Sequence, residues 1–110
     1  MNIIAGPCQH ETLDQSLLIA EHCNEVSLKY GYNYYFKASY DKANRTSYTS
    51  SRGKGLKYTL ADFSKLKEKL GIKIVTDVHE SKQIEWIENH YPNTIDVYQI
   101  PAFLCRQTDL

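Results

Sequence analysis

Segments with strand character and segments with helical period alternate along this chain, and that alternation narrows the fold more than any other feature. Ile3 to Ala5 is a short apolar strand that stops at Gly6-Pro7. Thr12 with Gln15 three residues on makes a capping-box start, and Ile19, Cys23, Val26 and Tyr30 then recur at helical spacing until Gly31. Asn33 to Phe36 is aromatic and strand-like. Ser39 to Lys57 reads as a long polar loop, with turn residues at Gly53 and Gly55. Thr59 begins a second helix that turns Leu60, Phe63, Leu66 and Leu70 inward, and Gly71 takes its C′ position. Ile72 to Val78 is a third strand. Ser81 caps a third helix with Ile84, Ile87 and Tyr91 on one side, closed by Pro92, and Ile95 to Ile100 is a fourth strand. The predicted order is β-α-β-α-β-α-β. Regular alternation with short connections belongs to the α/β class, a parallel sheet built from right-handed β-α-β units.

Length and charge set the outer bounds. The chain has 110 residues, 42% of them hydrophobic, enough for one small domain with a core. Its 13 basic and 13 acidic residues cancel, which removes the surface-wide positive field of a nucleic-acid binder, so any cationic site is local. No apolar run approaches the roughly 20 residues that span a bilayer, and Met1 to Cys8 lacks the charged and hydrophobic regions of a leader, so a cytoplasmic protein is expected. Three cysteines, at 8, 23 and 105, form no C-x-x-C pair and are odd in number, which argues against a disulfide framework.

Polar residues gather where the strands end. Cys8, Lys37, Asp77, His79, Gln99 and Phe103 all fall at or just beyond the C-terminal end of a predicted strand. In a (β/α) barrel that rim carries the active site, because the βα loops open onto it. The stretch Lys37-Ala-Ser-Tyr-Asp-Lys-Ala-Asn-Arg-Thr-Ser47 sets Lys37, Lys42 and Arg45 against a single acid, Asp41, with Asn44, Thr46 and Ser47 as neutral donors. It has the make-up of an anion cradle; the alternative is a solvated loop. His10, His22 and His90 are expected in solvent. Cys23 fits a small side chain packed on a helix face.

Four motifs in order carry a resemblance. They are the stretch 37–47, Arg52-Gly-Lys-Gly-Leu56, Thr76-Asp-Val-His-Glu80, and Gln99-Ile-Pro-Ala-Phe-Leu-Cys-Arg-Gln-Thr-Asp-Leu110. Together they resemble the 3-deoxy-D-manno-octulosonate 8-phosphate synthases, and the likeness runs from Ile4 to Leu110. That family condenses phosphoenolpyruvate with D-arabinose 5-phosphate on a (β/α)8 barrel, in the cytoplasm, on the way to lipopolysaccharide. The resemblance implies that Lys37, Lys42, Gln99, Ala102 and Phe103 meet phosphoenolpyruvate. Asn44, Arg45 and Thr46 would meet the sugar phosphate, and Arg106 would reach that of a neighbouring subunit in a homotetramer. Asp77 and His79 would hold or polarise the sugar hydroxyls and the attacking water; otherwise Asp77 is a structural acceptor at a strand end. Cys8 stands where the metal-dependent branch places a ligand to zinc, iron or manganese; otherwise it is a small buried hydrophobe.

A closed barrel has eight strands in typically about 250 residues. The expectation here is therefore the N-terminal half of such a barrel, one domain over residues 1–110 cut short at both ends, with strands one and four as open edges. Such a half would be inactive alone. Two other readings stand beside it. One is a 3-deoxy-D-arabino-heptulosonate 7-phosphate synthase, which resembles this chain at the Gly-Pro-Cys start but has proline where Asn44 stands. The other is an inactive half-barrel, or one that needs a second polypeptide.

Overall fold

The computed structural model describes residues 1–40 and 51–100, with the backbone alone for 51–54. Seven elements follow in chain order: β1 (Asn2–Ala5), α1 (Leu13–Lys29), β2 (Asn33–Lys37), α2 (Ser51–Leu70), β3 (Lys73–Asp77), α3 (Ser81–His90) and β4 (Val97–Gln99). The strands form one parallel sheet in the order β1-β2-β3-β4. This is the expected α/β arrangement, that of the first half of a (β/α)8 barrel. Among the described residues β1 and β4 are the sheet edges.

Strand parity divides the sheet. Ile3, Ala5, Tyr34, Phe36, Ile74 and Tyr98 point to one side, where they meet Ala20 of α1, Leu60, Phe63 and Leu66 of α2, and Ile87 of α3. The helices therefore pack on that side, as right-handed crossovers between parallel neighbours require. Phe36 and Phe63 meet edge to face with centroids 6.0 Å apart, and both are fully buried. Residues of the other parity lie outside this core: Ile4, Tyr35, Lys37, Val75, Asp77, Val97 and Gln99. On that open face Ile4 is 56% exposed and Val97 43%.

Local signals explain the boundaries. Thr12 caps α1 by accepting from the Gln15 amide at 3.2 Å. Gly71 leaves α2 with φ at 64°, and its amide returns to the Lys67 carbonyl at 2.7 Å. Between β3 and β4 the Asp96 carboxylate accepts from the Ile74 amide at 2.8 Å and from the Lys67 ammonium, tying α2 to the sheet.

Four expectations are corrected. α2 begins at Ser51, not Thr59, so Gly53 and Gly55 are helical and not turn residues. A Cβ at Gly55 would sit 3.4 Å from the Tyr40 carbonyl oxygen, an ordinary contact, so the helix has room for a side chain there. The inward face of α1 is Ser16, Ala20 and Ser27, while Val26 and Tyr30 are 42% and 63% exposed. Small residues allow close approach to β2, and hydrophobic period alone misses them. α3 is capped by Glu80, not Ser81: the Gln83 side chain accepts from the Glu80 amide at 3.1 Å and from the His79 amide at 2.6 Å. The fourth correction concerns His10, which is buried.

Candidate active site at the C-terminal sheet edge

The ends of β2, β3 and β4 bring three of the expected residues to one edge. Lys37 closes β2 opposite Val75, and two residues later Asp77 closes β3 opposite Gln99 of β4. All three share the parity of the open face. Gln99 is exposed and Lys37 half-buried. No ion pair engages Lys37 among the described residues.

Asp77 and His79 form a pair. His79 Nε2 lies 3.1 Å from Asp77 Oδ2, with the two side chains 11% and 13% exposed. A carboxylate only accepts, so Nε2 carries the hydrogen, and in the neutral ring Nδ1 is left as an acceptor. His79 Nδ1 and Asp77 Oδ1 are both buried without a hydrogen-bond partner among the described residues. A buried polar atom without a partner costs about 1–3 kcal/mol, which a ligand hydroxyl or a water would recover.

The first βα connection joins the same edge. Gly6 passes so close to β2 that a Cβ there would lie 2.0 Å from the Lys37 carbonyl oxygen, a position closed to any side chain. Beyond Pro7 the chain pairs with Ser39, just past the end of β2: the Ser39 amide donates to the Cys8 carbonyl at 3.2 Å, the His10 amide donates to the Ser39 carbonyl at 2.9 Å, and Gln9 bridges Ser39. Cys8 is exposed, which overturns its reading as a small buried hydrophobe. Cys23 is partly buried against the core, as expected. Among the described residues no three His, Cys, Asp or Glu side chains come together to hold a metal.

Lys42, Asn44, Arg45, Thr46, Ala102, Phe103 and Arg106 lie outside the described residues. His22 and His90 are exposed, as expected, and His90 stacks on Trp86 at 4.4 Å. His10 is not in solvent. Its ring contacts Ser16 Oγ at 2.8 Å and Asp62 Oδ2 at 2.7 Å and meets Phe63 edge-on. Those partners stand six and 52 positions away, so no local sequence signal announces them. No helix among the described residues is long and apolar enough to cross a membrane.

Comparison with known proteins gives the family of the chain. The profile of the DAHP synthetase I family matches residues 1–110, and the chain belongs to that family. A 2-dehydro-3-deoxyphosphooctonate aldolase of Rhodopseudomonas palustris (strain BisB5) is 44% identical over 110 residues, covering 100% of this chain and 37% of the relative. The protein of that name from Brucella canis is 47% identical over 108 residues, 98% of this chain and 38% of the relative. The one from Helicobacter hepaticus is 47% identical over 110 residues, 100% and 39% respectively. The name is the synonym of the octulosonate 8-phosphate synthases that the four motifs resemble. The chain spans between 37% and 39% of the length of these curated relatives.

Proposed function

We propose that this member of the DAHP synthetase I family carries the N-terminal part of an active site for a condensing transferase. Phosphoenolpyruvate, D-arabinose 5-phosphate and water would give 3-deoxy-D-manno-octulosonate 8-phosphate and inorganic phosphate. One observation carries the reading: Lys37 and Asp77 end adjacent parallel strands on the face away from the helices, and Asp77 pairs with His79, each keeping one acceptor without a partner among the described residues.

Each residue has a task that its chemistry suits. Lys37, with Lys42 beyond the described residues, would neutralise the charge of phosphoenolpyruvate. Asn44, Arg45 and Thr46 would take the sugar phosphate, the arginine fork matching phosphate geometry, and Arg106 that of a neighbouring subunit in a homo-oligomer. Asp77 Oδ1 and His79 Nδ1 would accept hydrogens from the aldose hydroxyls or the attacking water. Gln99, Ala102 and Phe103 would line the phosphoenolpyruvate side. C3 of phosphoenolpyruvate attacks the aldehyde, water adds at C2, and phosphate leaves by C–O cleavage. Holding two anions aligned turns an encounter into a near-attack geometry. Cys8 would supply one ligand to zinc, iron or manganese; the described residues do not complete the set. The product would feed lipopolysaccharide synthesis in the cytoplasm.

The test joins residues 1–110 to the remaining sequence of the Brucella canis relative and follows phosphate release from phosphoenolpyruvate. Turnover is expected with the five-carbon arabinose 5-phosphate, lost with Lys37→Ala, and absent from residues 1–110 alone. Asn44→Pro should raise KM for arabinose 5-phosphate more than that for phosphoenolpyruvate, because proline removes the amide donor. Turnover with a four-carbon aldose phosphate in its place would point to the seven-carbon product and the heptulosonate alternative.

A further inference from the structure

The proposed chemistry lies on the open face of the sheet, and the pair of hydrogen bonds at His10 plays no part in it. His10 belongs to the connection between β1 and α1, yet its side chain is 3% exposed. The Asp62 carboxylate on α2 only accepts, so His10 Nε2 donates to it at 2.7 Å; in the neutral ring Nδ1 then accepts from the Ser16 hydroxyl of α1 at 2.8 Å. Burying an imidazole is costly unless both nitrogens are paired, and here both are. The Phe63 ring packs against its edge at 5.4 Å. Serine, histidine and aspartate in hydrogen-bond contact suit a nucleophile elsewhere. Ser16 is only 1% exposed, so a substrate has no access to it.

What the arrangement does hold is the backbone of its own loop. Gly6-Pro7 breaks the pairing of β1 with β2, and Cys8 beyond the break is exposed. Pairing resumes only through the Gln9–Ser39 bridge, the Ser39 amide on the Cys8 carbonyl and the His10 amide on the Ser39 carbonyl. The His10 ring fastens the far end of that short pairing to two helices at once.

We propose that His10 is a positioning residue which, through Ser16 and Asp62, keeps the segment 8–10 in register with Ser39 and so sets the place of the Cys8 thiol at the substrate edge of the sheet. Its bearing on catalysis rests on the function proposed above; the positioning itself does not.

The experiment places a nitroxide on Cys8 in a Cys23→Ser, Cys105→Ser background of the full chain. It reads the spectral line width together with amide exchange at His10, Ser39, Phe36 and Ile74. Asp62→Ala should narrow the spectrum and speed exchange at His10 and Ser39 about five- to tenfold relative to Phe36 and Ile74, the scale of one lost hydrogen bond. Asp62→Asn, whose amide oxygen still accepts from Nε2, should restore most of both signals. Two results would overturn the proposal: exchange at His10 and Ser39 changing only in step with Phe36 and Ile74, or a label equally mobile in all three proteins. If the label loosens while phosphoenolpyruvate binding is unaffected, the positioning stands and the functional reading of this edge fails.

Discussion

The two faces of this sheet are made by the same strands and have opposite characters. Toward the helices, Tyr34, Phe36, Ile74 and Thr76 are buried; Tyr34 donates to the Ala5 carbonyl at 2.7 Å and Thr76 to the Ala38 carbonyl at 2.8 Å. One residue along each strand, the other face alternates apolar side chains with Lys37, Asp77 and Gln99, and leaves Asp77 Oδ1 unpaired among the described residues. Parity thus separates the helix-packed core from the candidate site within single strands. A parallel sheet in a β/α arrangement makes that separation possible, since the crossovers commit one face to helices and leave the strand ends of the other free to take ligands.

The largest expected effect breaks the helix-covered face. Phe36→Ala should cost about 3–5 kcal/mol, because it leaves a cavity against Phe63. Tyr35→Ala on the open face should cost roughly 1–2 kcal/mol, since its ring is half-exposed and lies outside the core. Denaturant unfolding of the two variants checks the comparison directly, and equal losses would contradict it.

Next comes the place where the faces meet at the edge. Gly6→Ala should destabilise by about 2–3 kcal/mol, because the added carbon would collide with the Lys37 carbonyl and force β1 away from β2. Unlike Phe36→Ala, it should also speed amide exchange at Ser39 and His10, the pairing just beyond the crossing.

A smaller effect comes from pH on the covered face. Burial, and after it the neighbouring Cys23, pushes the Tyr34 phenol well above its ordinary value of 10.0. The folded chain therefore keeps a proton that the unfolded chain loses. Stability from this source is full below pH 10 and falls as pH rises toward the folded value. Tyr98 is pushed the same way, by burial first and then by Glu88. Tyr34→Phe should cost about 1 kcal/mol at neutral pH through its lost hydrogen bond. It should also lessen the alkaline decline without abolishing it, because the share of Tyr98 remains. Chemical denaturation at neutral pH and above pH 10 measures both.

These contrasts also show why some of the molecule could be read from residues alone and some could not. β1 to β4 and the inward Leu60, Phe63 and Leu66 were legible because large apolar side chains at the right period have few other places to go. The start of α2 was hidden by Gly53 and Gly55, which resemble turn residues but lie within the helix. The inward face of α1 was hidden by Ser16 and Ser27, which pack through small size. At the candidate site, Lys37, Asp77 and His79 stood out as polar residues at strand ends. The burial of His10 did not, since a hydrogen bond to Asp62 across 52 positions leaves no periodic trace.

The smallest expected effect on stability accompanies the largest on binding. Lys37→Ala should change unfolding free energy by less than about 1 kcal/mol, its side chain being half-buried on the open face without an ion pair among the described residues. Titration of phosphoenolpyruvate into the nitrogen-labelled chain, followed by amide resonances, tests the division between the faces most directly. The account predicts shifts at Lys37, Ala38, Asp77, Val78 and Gln99, lost in Lys37→Ala, with Leu66 and Ile87 unmoved. Shifts centred instead on the groove at the other end of the strands, lined by Asn24, Tyr32 and Lys73, would contradict it.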